Sequence, residues 1–397
     1  MAPPDSHDIL PRVLAFYHHW RKLYGPKHLI WFGTKARLTI SSPELVREVL
    51  LTRAEHFDRY EAHPLICQFE GYGLGNLRGD QWARHRRVLS PAFHTENLKP
   101  LVPFIAATMR RMLDELAAKA VGGEAEVDVA EWFQRVPQEV ITFATFGRRN
   151  YEDGRVVFEL QDELAGLAAD AHSKVYIPGY RFLPLRRNLR VWHLVREIRK
   201  GLAAFIANLP KDGRDDEQRR DGGGGGMRDL MSFMTPAMTT EEIIEESKNF
   251  FFAGKETLVG MIVNETLRLY PPAVAMIRTA NRDVELGGCV VPAGTELLIP
   301  ILAVHHDEEH WGADAAEFNP ARFGDDRRPR HQMAFMPFGG GERVCIGQNL
   351  ALIEAKVALA VVLQRFAFRL SPAYVHAPRV LMILNPQYGA PVIFRPL

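Results

Sequence analysis

Cysteine is scarce: Cys67, Cys289 and Cys345 are the whole supply in 397 residues. Three cysteines at these spacings make neither a disulfide framework nor a cysteine zinc site, and their scarcity fits a reducing compartment. Charge of one sign is missing too. The chain sets 49 Lys and Arg against 48 Asp and Glu, for a net charge of +1. That balance excludes a global pull toward nucleic acid or an anionic membrane face. No apolar run reaches the roughly 20 residues needed to span a bilayer. The polar, Pro-rich start at 1–7 has no signal-peptide pattern. The sequence therefore predicts a chain that is soluble or at most peripheral. Internal repeats are absent as well. Apolar residues are plentiful at 47%, enough for a sizeable core.

In chain order, a short helix ends near Tyr24-Gly25-Pro26, and 29–33 with 37–40 reads as a hairpin. Ser41-Ser42-Pro43-Glu44 starts a helix running through Leu51, with a serine cap and proline in the first turn. Asp80-Gln81-Trp82 opens another helix, and 100–210 is helical, with breaks at 121–123 and 178–184. Residues 211–226 are a low-complexity surface linker. Helices follow at 241–257 and 261–270, then strands at 284–286, 289–291 and 296–301. A long helix is expected over 348–368, and a last hairpin from 380–384 and 391–394.

One stretch organises the rest: Phe338-Gly339-Gly340-Gly341-Glu342-Arg343-Val344-Cys345-Ile346-Gly347. A glycine turn delivers a single cysteine to a helix N-terminus, where the dipole and free N–H groups favour the thiolate. A lone thiolate there suits haem iron as an axial ligand. The glycines let the backbone pass close to a flat macrocycle, and Arg343 can pair with a haem propionate. The plainer alternative is a structural cysteine in a Gly-rich loop.

Other constellations are ambiguous when taken singly. Glu265 and Arg268, three apart, share a helix face; an ordinary surface ion pair is the plain reading. Arg322 would complete a Glu–Arg–Arg cluster beneath the cysteine loop, in which every charge must be paired. Ala253-Gly254-Lys255-Glu256-Thr257 makes sense if a flat ligand or dioxygen lies against the backbone, with Glu256 and Thr257 relaying protons; a solvated helix end is the alternative. Trp82 and Arg86, four apart, can together bind a carboxylate such as a propionate, or simply belong to a basic surface helix. His306-Asp307-Glu308-Glu309-His310 matches the H-x-x-E-H pattern of zinc peptidases, with His306, Glu309 and His310 as the chemical residues. A polar turn explains it equally.

Together these elements resemble the cytochrome P-450 family of haem-thiolate monooxygenases, over nearly the whole chain. The cysteine loop, Glu265-x-x-Arg268 and Ala253-Gly254-x-Glu256-Thr257 match its signatures in the family's order. The chain most resembles plant members that hydroxylate brassinosteroids on the sterol side chain, through segments 58–64, 174–184 and 245–252. The resemblance implies a mainly α, single-domain fold over 1–397 with a small β-rich subdomain. It implies haem b, with Cys345 as axial ligand and Phe338, Gly339 and Gly347 of the same loop also binding the cofactor. Arg343, Trp82, Arg86 and Arg278 would contact the propionates. Glu265, Arg268 and Arg322 would form a structural triad, and Glu256 and Thr257 would serve oxygen activation. It further implies electrons from an NADPH-dependent flavoprotein reductase, with Arg327, Arg328 and Arg330 as a docking candidate against a solvated loop. A full-length form would lie on the cytosolic face of the endoplasmic reticulum membrane.

Two departures stand out. The membrane anchor usual in plant members is missing. Only seven residues separate Thr257 from Glu265, where the family has several dozen. The junction at 257–261 reads as a skipped exon or gene-model error that leaves the helical core incomplete. Losing core helices removes more apolar burial than the ~5–15 kcal/mol by which domains are stable. Weak or no haem binding, in a catalytically inactive truncated variant, is therefore the expected alternative to an active enzyme.

Overall fold

The computed structural model describes residues 7–61, 67, 70–120, 122–147, 151–172, 182–207, 229–253, 260–324 and 331–397. The expected linker at 211–226, the arginines at 327, 328 and 330, and Glu256 and Thr257 lie outside the described residues.

Helices hold the larger core. The Val102–Ala118 helix buries Ile105, Met109, Met112, Leu113 and Leu116, a three-to-four spacing that lines one face. Around it pack the helices Arg135–Phe146, Tyr151–His172, Arg186–Ala207, Thr240–Ala253 and Gln348–Leu363, through one continuous apolar cluster. The last of these is apolar along most of its length, and its buried residues Leu350, Glu354, Ala355, Ala358, Val361 and Val362 share one side. No helix among the described residues is long and apolar enough to cross a membrane.

The strands in chain order are β1 (His28–Phe32), β2 (Lys35–Thr39), β3 (Phe57–Arg59), β4 (Ala125–Asp128), β5 (Met276–Ala280) and β6 (Val284–Leu286). They continue with β7 (Cys289–Val291), β8 (Glu296–Ile299), β9 (Phe366–Leu370), β10 (Pro378–Leu381), β11 (Ile383–Pro386) and β12 (Pro391–Pro396). The main sheet has the order β1-β2-β8-β5-β3 and covers a second core that includes Ile40, Val46, Leu297 and Ile299. A three-stranded sheet has the order β4-β12-β9. The chain is thus mainly helical with a small β-rich part.

Local signals located most elements. Ser42 caps its helix by accepting the Leu45 N–H. That helix ends earlier than expected, at Arg47, and a wide π turn at Glu48–Thr52 carries the chain to Leu51. The strand expected at 296–301 stops at Ile299, because Pro300 opens a short helix, Ile301–His305. The helix expected to reach 368 ends at Leu363; the aromatic, alternating Phe366–Leu370 is claimed by β12 as β9. The expected last hairpin is also re-paired: β10 bonds to β11, while β12 bonds to β4 and β9. Distant partners decided these pairings, and sequence spacing carries no trace of them.

Candidate haem-thiolate site

The cysteine loop closes on itself through the Cys345 N–H, which donates to the Phe338 carbonyl at 2.9 Å. Two glycines make this path possible. Gly339 and Gly341 sit at φ +78° and +69°, the left-handed region that side chains resist. A Cβ on Gly341 would overlap the Leu50 carbonyl oxygen of the π turn. The glycines expected to face a flat ligand are therefore needed, in part, to pack the loop against 48–52. Gly347 caps the Gln348–Leu363 helix, and a Cβ there would stand 3.9 Å from Cys345 Sγ, an ordinary contact.

Cys345 keeps an exposed surface, yet burial by the surrounding protein pushes its thiol up. Both hold for a side chain on the wall of a concavity. The N–H groups of Gly347 and Gln348 and the Arg86 guanidinium pull the thiol down without prevailing. The lowering expected from the helix N-terminus is thus present but outweighed. A metal that replaces the proton would gain those stabilising groups.

Cations gather at the cysteine loop and next to its Arg343 from four elements. Arg343 spreads over the Trp82 ring at 4.3 Å and donates to the Leu77 carbonyl at 3.1 Å. Arg86, one turn after Trp82 on the Gly79–Leu89 helix, donates to the Val344 carbonyl at 2.9 Å. Arg278 on β5 is 7% exposed and, among the described residues, bonds only its neighbour's carbonyl, that of Ile277. Burial, then Arg59 and Arg343, push its pKa down to about 10. Arg59 stands directly opposite it on β3, and its Nε has no hydrogen-bond partner. Like charges opposed across strands destabilise a sheet. Among the described residues no carboxylate forms an ion pair with Arg59, Arg278 or Arg343. A dianionic, flat group with two carboxylates, the chemistry of haem, fits this thiol and cation set. Arg59 was not singled out in the sequence. Its residence in the 58–64 segment was the only hint, since the β3–β5 register is non-local.

The Glu265–Arg268 pair is buried, both side chains at 0% exposure, and not a surface ion pair. Arg268 grips Glu265 with two bonds of 2.7 and 2.8 Å, and its remaining donors reach the carbonyls of His305, Ala315 and Glu317. Arg322 Nε lies 3.4 Å from Glu265 Oε1, an ion pair without an aimed hydrogen. Its other donors bind Asp314 and the Trp311 carbonyl. The cluster also reaches the cysteine loop. His305, whose carbonyl binds Arg268, accepts the Met336 N–H at 2.9 Å, two residues before Phe338. That link, too, has no sequence signal.

The zinc reading does not survive. Asp307 caps the Glu308–Trp311 helix and leaves His306 outside it, so His306 and His310 do not share a helical face. His306 Nε2 is engaged with the Leu269 carbonyl at 3.0 Å, and burial lowers its pKa to about 4. No cluster of three metal-ligating side chains occurs among the described residues.

Known proteins point the same way. A family profile described as cytochrome P-450 matches residues 11–260 and 257–391. The two segments meet at the junction noted in the sequence. Cytochrome P-450 734A5 of Oryza sativa subsp. japonica is 69% identical, over 100% of this chain and 84% of its own length. Cytochrome P-450 734A1 of Arabidopsis thaliana is 48% identical, over 99% of this chain and 85% of its own. The rice alignment spans 451 positions against 397 residues here, so about 54 positions of that relative have no counterpart. A crystallised haem domain of cytochrome P-450DA shares the fold with a TM-score of 0.77, covering 98% of this chain and 93% of its own at 22% identity.

Proposed function

The chain belongs to the cytochrome P-450 family, whose members are haem-dependent monooxygenases, and from that premise we propose that it hydroxylates a neutral sterol of the brassinosteroid type with Cys345 as the iron ligand. When bound, haem would supply the oxidising chemistry that inserts oxygen from dioxygen into an unactivated C–H bond, with electrons from an NADPH-dependent reductase. The protein's own residues hold and shelter that group. Arg343, Arg278, Arg59 and Arg86 would neutralise the propionates, with the Trp82 indole N–H as a further donor, Phe338, Gly339 and Gly347 would shape the thiolate loop, and Glu256 and Thr257 would move protons. Glu265, Arg268 and Arg322 fix the loop through His305. The observation that carries this reading is the gathering of Arg59, Arg278 and Arg343, the last of these in the cysteine loop, with no carboxylate in an ion pair with any of them among the described residues. Sterol preference rests on the similarity of segments 58–64, 174–184 and 245–252 to brassinosteroid-inactivating hydroxylases, and so does placement at the endoplasmic reticulum.

The test is the carbon monoxide spectrum of the reduced, purified protein. A thiolate-type band that disappears in Cys345→Ser supports the assignment; an unchanged band in that variant refutes it. Sterol turnover is read by mass spectrometry of products formed with a plant reductase. A second reading, an inactive splice variant that retains haem poorly, is favoured by the 54 unmatched positions and the split at 257–260. Substoichiometric haem here, with full haem once the relative's segment is inserted at the junction, would establish it.

A further inference from the structure

One imidazole ring joins the helix that carries Trp82 and Arg86 to the helix packed beside it. His85 lies on the Gly79–Leu89 helix and is buried. Its Nδ1 stands 2.6 Å from Oε1 of Glu246, a fully buried residue of the Thr240–Ala253 helix. The other Glu246 oxygen accepts the Leu74 N–H at 3.0 Å, and the adjacent Glu245 accepts the Tyr72 N–H at 2.8 Å. Loop 71–77 therefore hangs from the same two acids. It comes this close because residue 71 is glycine: at φ +81°, a Cβ there would stand 2.8 Å from the Glu245 carbonyl oxygen. The far end of the loop meets the cysteine loop, through the Leu77 carbonyl bound by Arg343.

The second ring nitrogen has two partners that it cannot satisfy together. Nε2 lies 3.0 Å from Arg84 Nη2 and 3.3 Å from Glu242 Oε1. A guanidinium only donates, and a carboxylate only accepts. In the neutral ring, Nδ1–H serves Glu246 and bare Nε2 accepts from Arg84. In the charged ring both nitrogens donate, so Nε2–H serves Glu242 and the ring bridges two acids one helical turn apart. Arg84 also contacts Glu242 and donates to the Ala237 carbonyl at 3.1 Å, so it keeps partners in either state.

The surroundings favour the charged ring. The Glu246 bond pushes the His85 pKa up first and Glu242 adds to it, against burial and Arg84. Among the described residues, the other titratable groups on the cavity that His85 lines are Glu241, Glu245, Lys248, Arg199 and Tyr72. Arg199 bonds Glu241 and Glu245, and Lys248 bonds Glu245, so these charges compensate one another. The Leu230–Met234 helix, also packed on the Gly79–Leu89 helix, has no titratable residue.

We propose that His85 is a positioning residue operated by a proton: charged, it clasps Glu242 and Glu246 and holds Trp82 and Arg86 in place at the cysteine loop; neutral, it gives up Glu242 and loosens the two helices. Trp82 and Arg86 meet the cysteine loop directly, through Arg343 and the Val344 carbonyl, and His85 acts through them. The consequence, firmer haem retention while His85 is charged, rests on the haem reading above.

The test uses the full chain without and then with haem. In the haem-free chain, amide exchange is expressed as protection factors, which remove the intrinsic pH dependence of exchange. Protection over 71–77 and 79–89 should fall by about 10-fold, the scale of one hydrogen bond to a charged group, as pH climbs through the folded pKa of His85. It should stay flat in His85→Gln. Glu242→Gln should flatten it too, because an amide serves the ring in either state; this variant keeps the test decisive if His85→Gln does not fold. Ferric protoporphyrin IX is then titrated in. Loss of the Cys345 proton makes affinity rise with pH in every variant, so the readout is the ratio of wild-type to variant affinity. That ratio should be about 10 below the ordinary histidine pKa of about 6.5 and approach unity at alkaline pH. A ratio constant with pH would overturn the proposal, since a histidine that only fills space titrates nothing. Flat protection in a wild-type chain that binds haem would overturn the clasp and spare the haem reading. Protection that titrates in a chain taking up no haem would leave the clasp standing and overturn the haem reading.

Discussion

Two arginine clusters flank the cysteine loop, and they are built on opposite terms. In the first, Arg268 and Arg322 surround one carboxylate, Glu265, and nearly every remaining donor ends on a carbonyl or on Asp314. In the second, Arg59 and Arg278 face each other across two strands, with Arg343 near both and, among the described residues, no carboxylate paired to any of them. A closed cluster stabilises the fold it sits in, because each charge has lost water but gained a partner. An open cluster costs the fold and makes sense for a ligand that brings the anions. The contrast separates arginines that hold structure from arginines that hold a cofactor, a distinction residue type alone does not make.

The sharpest way to break this contrast is Arg268→Ala. It strands Glu265 at 0% exposure, so urea unfolding should lose ~3–5 kcal/mol, whether or not haem is present. Arg268→Lys should recover little, since a point charge cannot replace the two-pronged grip on Glu265.

Glu354 extends the contrast to titration. It is 5% exposed on the Gln348–Leu363 helix, and burial alone pushes its carboxyl from 4.5 up to about 8. The native state therefore binds a proton that the unfolded chain releases. Stability should fall as pH rises from about 4.5 to about 8 and level off above that. Glu354→Gln should flatten this decline and add roughly 3 kcal/mol near neutral pH, seen in unfolding curves across that window.

In the open cluster the sign should reverse. Arg278→Gln relieves repulsion, so the haem-free chain should be unchanged or more stable by roughly 0.2–1 kcal/mol. Haem affinity, followed by absorbance titration, should drop about 10-fold or more. Destabilisation of the haem-free chain matching that of Arg268→Ala would collapse the distinction.

The smallest effect belongs to His85, whose pKa is raised chiefly by Glu246. A raised folded pKa means that its contribution is complete below the unfolded value of about 6.5 and is lost as pH climbs through the folded one. The melting temperature should decline modestly over that range, and His85→Gln should remove the slope.

Legibility followed sequence distance. Trp82 and Arg86, one turn apart, and the Arg343-x-Cys345 loop are each local arrangements readable from spacing, whereas their meeting, with Arg343 over Trp82 and Arg86 on the Val344 carbonyl, is a long-range contact that spacing does not imply. The i, i+3 pair of Glu265 and Arg268 was equally readable, but its burial was not, because burial depends on Arg322, Asp314 and three distant carbonyls. Arg59 was invisible, since only the β3–β5 register sets it against Arg278. The H-x-x-E-H motif misled for a local reason: Asp307 is a better helix cap than His306 is a helix residue, so the helix starts too late to hold both histidines.

The sequence alone determined the chemistry on offer: one cysteine before a helix, set in a turn only glycine can follow, with an arginine two residues away. Those are consequences of bonds and of neighbours within a helical turn. Which charges would be closed and which left open was decided by the tertiary structure alone. Pairing requires atoms within a few ångströms, and strand register and helix packing bring together groups that lie hundreds of residues apart.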